Sequence, residues 1–492
     1  MSAKLELDLA NFGDPSLSEA FVAYLVREEA PDRTLHFDRL WSYYRNEVTG
    51  LGSGVAEEVD ESWSAGVRPY RQAQEFGLPP RITGRRPAGC DGSGLPTAAL
   101  RRKEVVVEND IGWRIDTGVH FLVGRPVGIE SLARRAEDAR RIEAALAAVW
   151  EASGGAAMLE QAALLGAVYG FVDVVVRLRS GREAAEAVAL EAVEAPRVVP
   201  VLEEDDCRRL RYWVQTFRRV TNHLAGERPL ARLLRRPPAR VDEVEVVEIL
   251  GPRWWQRYEA GQLAAEGANP LGRLPLVHIQ NLAHPMHYEG VGEVEPLIPL
   301  QDELNTRLSD RANRVTFQSF KMYLGKGIDA FLDHPVAPGR MWATDNPDAS
   351  IETFGGDAAC PSEDAHIDQL REAMDKVSGV TPLAAGLLRD RLGRLTSAAA
   401  LKVVLMGTLA RVQRKRVTYG RGLVEANRLV LEALDATGIL KTDPADRGTR
   451  LHWPDPLPEN TSEKLAEARA KRDLGVPAET VLRELGYDPA KP

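Results

Sequence analysis

Apolar residues recur at helical spacing in three long stretches of the second half of the chain. Leu297, Leu300, Leu304, Leu308 and Val315 form one stripe, the three- and four-residue spacing of a helix that buries one face. Pro296 and Pro299 suit its first turn. Glu303 with Arg307, and Asp310 with Arg314, stand four apart with the acid first, the order that supports a helix; the pattern predicts a helix over 296–320. Ile367, Leu370, Met374 and Val377 make a second stripe, in a helix from Ser362 to Val377. Pro361, Glu363 and Asp364 suit its start, and Lys376 and Gly379 suit its end. A third helix is capped by Thr396-Ser397, opens on Ala398-Ala399-Ala400-Leu401, and carries its apolar period to Leu434. From Thr396 to Leu434 it would be about 60 Å long, with a bend expected near Gly407, Gly420 or Gly422.

The first third reads as mostly helical. Leu17 to Glu28 is amphipathic, and Leu35 to Glu47 carries His36, Phe37, Leu40, Trp41 and Tyr44 as a core stripe. Val105 to Phe121 reads equally as helix or short strand. Glu130 to Ser153 and Met158 to Val168 read as helices, followed by a strand at Val172 to Leu178. Glycine-, proline- and arginine-rich runs at 50–54 and 81–96 read as loops. Short β-prone runs then appear at Val198 to Leu202, Leu210 to Arg218, Val244 to Leu250, Trp254 to Glu259 and Leu276 to Ile279, separated by turns as in antiparallel hairpins. Trp254 and Trp255 should point to opposite faces of their strand. Between the first two patterned helices of the second half, Tyr323 to Phe354 is turn-rich and reads as a small module with a few strands. The fold class is α+β, mainly helical.

With 492 residues the chain exceeds what one core supports, so two or more domains are expected. Its 44% hydrophobic and 27% charged content fit a soluble folded protein. A pI near 5.7 argues against a protein that grips DNA over its whole surface. Cys90, Cys207 and Cys360 lie far apart, which points away from a disulfide framework or a zinc site. No signal-peptide pattern opens the chain. The most apolar run, Ala156 to Val176, holds Glu160 and Asp173 and falls short of a membrane span.

No catalytic constellation stands out, and no cofactor or metal site is expected. Gly325-Lys326 is followed by Gly327 rather than Ser or Thr, without the spacing of a phosphate loop. His284 and His287 flank Pro285 and have no third ligand in sequence, so they read as structural. Glu203-Glu204-Asp205-Asp206 could attract a divalent cation but reads more simply as a solvated turn. Charge changes the picture in one place. From Gly386 to Val424 the bases are Arg389, Arg391, Arg394, Lys402, Arg411, Arg414, Lys415, Arg416 and Arg421, with Asp390 the single acid, in a chain of net charge −9. That stretch is either a solvated helix face with a basic loop or a segment that meets a polyanion. Two antiparallel rods with a small head between them make a poor domain alone, so their seams (Leu297, Leu300, Leu304, Leu308, Val315, Ile367, Leu370 and Met374) are expected to close against sister copies in a ring.

The order helix, insert, helix, basic loop and long helix resembles the portal proteins of tailed double-stranded DNA phages. Leu297-Ile-Pro-Leu-Gln-Asp-Glu-Leu-Asn305-Thr-Arg-Leu-Ser309-Asp resembles the family's stem-helix signature. Leu274-Pro-Leu-Val-His-Ile-Gln-Asn281 and Tyr288-Glu-Gly290 resemble the approach to it. Ser378-Gly-Val-Thr-Pro382 with Ser397-Ala-Ala-Ala-Leu-Lys402 resembles the segments around the tunnel loop, and Leu474 to Leu482 with Leu485-Gly-Tyr487 the closing helices. The resemblance implies a wing over 1–295 (β-rich at 197–281), stem helices over 296–320 and 361–380, and a clip over 321–360. It further implies a tunnel loop over 381–396, a long bent helix over 397–436 and a crown over 437–492.

It implies a dodecameric ring at the capsid vertex, through which double-stranded DNA is packaged and ejected. Its implied partners are the terminase large subunit, head-completion or adaptor proteins, and capsid or scaffolding proteins, with no membrane, in the virion and in the host cytoplasm during assembly. Phosphate contacts grow stickier with their number, so a channel that must pass DNA should confine its bases to one level. On that reading Arg389, Arg391 and Arg394 touch phosphate in the channel. The competing readings are a soluble helical scaffold or an oligomer that binds RNA or an acidic protein, and an enzyme with a dispersed site.

Overall fold

The computed structural model describes residues 5–46, 106–221, 242–319, 322–326, 347–354, 360–386, 402–457 and 461–484. In chain order the main elements begin with helices α1 (Glu19–Tyr24), α2 (Ala30–Arg45) and α3 (Gly112–Val123), strand β1 (Gly128–Ser131), and helices α4 (Ala136–Ala152) and α5 (Gly155–Tyr169). Strands β2 (Phe171–Leu178), β3 (Val188–Val193), β4 (Val198–Leu202), β5 (Leu210–Thr221), β6 (Asp242–Leu250), β7 (Trp254–Glu259), β8 (Gln262–Ala268) and β9 (Leu276–Gln280) follow. Then come α6 (Ile298–Ser319), β10 (Met322–Lys326), β11 (Ser350–Phe354), α7 (Pro361–Ser378), α8 (Met406–Ala436), β12 (Thr449–His452), α9 (Thr461–Asp473) and α10 (Ala478–Glu484). The chain divides into two compact units, one of residues 1–41, 113–294 and 379–492, the other of 42–112 and 295–378.

In the first unit, β4 to β8 form an antiparallel meander, β3-β2-β9 a second sheet, and β1 pairs with β12. Successive side chains on a strand point to opposite faces, and the meander uses both. Val199, Val201, Tyr212, Val214, Val247 and Ile249 face Leu17, Val22, Leu25 and Val26 of the N-terminal helices. Val198, Trp213 and Leu250, their neighbours in sequence, face Val175, Val193 and Leu276 of the second sheet. Each such side chain fully buried is worth about 1.5–3 kcal/mol. The two tryptophans of β7 divide as expected, Trp255 packing into the second cluster while Trp254 donates to Glu266 at 3.3 Å.

The N-terminal helices are one continuous run. Ser18 caps α1 by accepting from the Phe21 amide at 3.2 Å. A π-turn over Leu25–Glu29 then leads into α2, with the Ala30 amide bonded five residues back to the Leu25 carbonyl. Pro31 explains the turn, since its ring clashes with the carbonyl four residues before it and it has no amide to donate. Three sequence expectations need correction here. Glu130 does not start a helix, because Gly128–Ser131 pairs antiparallel with Thr449–His452 and the helix opens only at Ala136. Strand β3 and strand β8 were not expected. Every residue of β8 but the half-buried Gly267 is exposed, so this strand exists through its pairing with β7 and shows no alternation.

The long helix α8 buries Val412, Tyr419, Leu423, Ala426, Leu429, Val430 and Leu434. The chain leaves helical geometry at Leu405, two residues before Gly407, and is helical through Gly407, Gly420 and Gly422. At Gly422 a Cβ would sit 2.4 Å from Ile279 Cγ1 of β9, so this glycine serves close packing of helix on sheet.

The second unit contains α6 and α7 and the hairpin β10–β11, in antiparallel register from Met322↔Phe354 to Lys326↔Ser350. Its first segment, described over Ser42–Asn46 and Val106–Gly112, groups with α6 and α7. The reason lies on α6, whose Gln301, Asn305 and Ser309 are 0–2% exposed. Ser309 Oγ accepts from the Val106 amide at 3.0 Å, Asn305 Oδ1 from Glu108 at 3.1 Å, and Gln301 Oε1 from Asp110 at 3.1 Å. Four residues of helix rise about 6.0 Å and two of extended chain about 6.6 Å, so a four-residue ladder matches alternate amides of an extended segment. Tyr43 adds a bond from its hydroxyl to Asp302 at 2.9 Å.

Candidate functional site

The first turns of α8 carry the described part of the basic stretch. Thr408 donates its hydroxyl to the Gly379 carbonyl at 2.7 Å, and Arg114 of α3 donates to the Val380 carbonyl at 2.6 Å. These bonds fix the point where the chain returns from α7. From there Thr381 to Gly386 form turns, Gly386 at φ +74°, and Lys402 begins the helical turn before α8. Arg389, Arg391 and Arg394 lie outside the described residues.

The other bases of this stretch divide by environment. Lys415, 2% exposed, and Arg411 both reach Glu293, at 2.7 Å and 2.6 Å. Burial pushes the Glu293 carboxyl up, but the Lys415 and Arg411 charges outweigh it and hold the group below its ordinary value. A Cβ at Gly118 would stand 3.7 Å from the Lys415 ammonium and 3.9 Å from a Glu293 carboxylate oxygen, ordinary contact distances, so α3 lies against this ion pair. Arg416 donates to the Pro454 carbonyl at 2.7 Å and lies over the Trp453 ring. These three cations are structural. Lys402, Arg414 and Arg421 are exposed and form no ion pair among the described residues. Among the described residues the bases of this stretch are therefore half lock and half open face, a distinction invisible in the charge count.

The stem residues also divide. Leu297, Leu304 and Met374 are 0% exposed, Ile367 2% and Leu370 8%, within a single chain. Helices α6 and α7 pack on each other, joined by ion pairs Arg311–Asp364 at 3.0 Å and Arg314–Glu363. These five side chains are therefore buried within the single chain and offer little surface to a sister copy. Leu300 and Leu308 are half-buried and Val315 is exposed; they retain surface. The polar residues Gln301, Asp302, Asn305 and Ser309 bind the backbone of Val106–Asp110 and the Tyr43 hydroxyl, a use the leucine stripe does not announce. The signal was there, as polar residues at four-residue intervals interleaved with the leucine stripe.

The remaining sequence candidates have structural partners. His284 and His287 stack edge to face at 4.1 Å on a loop held by Gln280, whose side chain bonds the His287 carbonyl and the His284 amide. In the acidic turn, Asp206 pairs with Arg208 at 2.9 Å and Glu204 with Arg211 at 3.6 Å. Among the described residues no group of three His, Cys, Asp or Glu side chains is placed to hold a metal ion, and no helix is long and apolar enough to cross a membrane.

Comparison with known proteins bears on the second half of the chain. Residues 253–487 match the family model "Phage portal protein, SPP1 Gp6-like". That span runs from β7 through the signature helix α6, the hairpin, α7 and α8 to the closing helices. No curated protein matches the chain. Among solved structures, a chain of the "Virion of native gene transfer agent (GTA) particle" is similar at 13% identity, covering 77% of this chain and 90% of that one with a TM-score of 0.43, a likeness too slight to support a functional argument. Over residues 253–487, just under half of its length, the chain is similar to the SPP1 Gp6-like phage portal proteins.

Proposed function

We propose that the protein forms the ring at the capsid vertex through which double-stranded DNA is packaged and ejected, and that it seats the terminase large subunit and later the head-completion or tail proteins. The carrying observation is the family match over α6, the β10–β11 hairpin, α7 and α8, the helix–insert–helix and long-helix order read from the sequence. On this reading 296–320 and 361–380 are the stem, 321–360 the clip, 381–396 the tunnel loop and 437–492 the crown. Arg389, Arg391 and Arg394 meet the phosphates at one level of the channel. Leu300, Leu308 and Val315 are the stem positions with surface left for a neighbouring copy. The role asks for no catalytic group, and the energy of translocation comes from a separate ATPase.

The test is assembly of capsids with and without this chain, in the presence of the matching terminase, with packaged DNA measured by nuclease protection. Particles that contain the chain should fill, and particles that lack it should remain empty. Equal filling of both would overturn the reading, and a turnover of small-molecule substrate would favour the dispersed-site enzyme instead.

A further inference from the structure

The outer face of α8 carries exposed apolar side chains among its arginines. Met406 is 60% exposed and Val417 72%, and Val403 in the preceding turn is 64% exposed. Arg414 and Arg421 lie on the same arc, since positions 406, 414, 417 and 421 fall within about 80° at 100° per residue. Both arginines are exposed and without ion pairs among the described residues. The opposite face of α8 is fully occupied by the core.

A second helix face in the same unit has the converse character. On the outer turns of α1 and α2, Phe21 is 36% exposed, Tyr24 46% and Leu35 65%. Between them stand Glu28 and Asp32, exposed and likewise without ion pairs among the described residues. Arg27 and Arg39 on these turns are already engaged by other groups.

We infer that the outer face of α8 in one copy packs on the outer face of α1–α2 in the next, Arg414 and Arg421 meeting Glu28 and Asp32 around an apolar centre. Two different, complementary patches on one chain make a head-to-tail contact, which closes into a ring when the rotation per copy divides the circle. The exposed valines and methionine favour a protein partner over a duplex, whose phosphates call for cations alone. Apolar anchors at the centre with charges at the rim are the usual anatomy of such a contact. This inference rests on the portal-ring reading and assigns it a surface.

The experiment reverses charge on each face of the full chain and then on both. Sedimentation velocity over a concentration series gives the concentration of half-assembly, and circular dichroism melting confirms that each variant is folded. Arg414→Glu with Arg421→Glu, and separately Glu28→Arg with Asp32→Arg, should each raise that concentration about 100-fold, because like charges juxtaposed in a contact are strongly unfavourable. The chain carrying all four substitutions should return to within about tenfold of the unaltered protein, the additive cycle being broken only if the faces meet. Folded variants that assemble unchanged, or two weakened variants whose combination stays weak, would overturn the assignment. So would an Arg414/Arg421 variant that assembles normally but no longer binds duplex DNA, which would make the α8 face a phosphate contact. Failure of the unaltered chain to assemble at any concentration would instead remove the ring reading itself, and this inference with it.

Discussion

Glu293, Lys415 and Arg411 form a buried charged lock whose removal should be felt immediately. Glu293→Gln leaves Lys415 buried without its counter-charge, a change that typically costs about 3–5 kcal/mol, read as a lowered urea midpoint with an unchanged slope. Its pH dependence has a definite sign. The folded carboxyl is held below 4.5, so its contribution is complete above that value and is lost as pH falls through the lower folded value. Acid unfolding of the unaltered chain should therefore carry a component below about pH 4.5 that the Glu293→Gln chain lacks; identical acid profiles would contradict the lock. Gly422 gives a second residue-level test. Gly422→Ala drives a methyl group into Ile279 and should destabilise by about 1–3 kcal/mol, and Ile279→Ala in the same chain should recover part of that loss, since the clash is with its side-chain carbons at 2.4 and 2.6 Å.

Helix α6 is where sequence and structure agree on the element and differ on its use. Its limits, and those of α7, were legible because stripe, caps and charge order all pointed one way. The leucine stripe, however, looks the same whether its partner lies in the same chain or in a copy; Leu297, Leu304, Ile367, Leu370 and Met374 are buried within the single chain. The polar ladder carries the prediction at this scale. Asn305→Ala should expose the Glu108 amide to exchange and destabilise by about 1–3 kcal/mol, the cost of a buried donor left unpaired. Hydrogen exchange at Val106, Glu108 and Asp110 reports it directly, and unchanged protection would refute the ladder. What escaped the sequence shares one cause. Strand β1, strand β8 and the docking of Val106–Asp110 all depend on partners far away in the chain, and none carries a local pattern. The division of the bases was hidden likewise, since Lys415 and Arg414 are neighbours in sequence and opposite in environment.

At the scale of the whole molecule, a modestly acidic chain of net charge −9 suits a conduit better than a clamp, because affinity for a duplex climbs steeply with the number of phosphates neutralised. Replacing Arg389, Arg391 and Arg394 with alanine should leave assembly intact while reducing packaged DNA in the nuclease-protection assay; full packaging by that variant would take the loop out of the account. All of this depends on many copies surrounding an open axis. The most direct test is the mass and shape of the purified full chain, by sedimentation and electron microscopy. The account predicts an annular particle near 650 kDa, about twelve copies of 54.2 kDa around a hole wide enough for a duplex. A monomer or compact dimer without a central opening would contradict it.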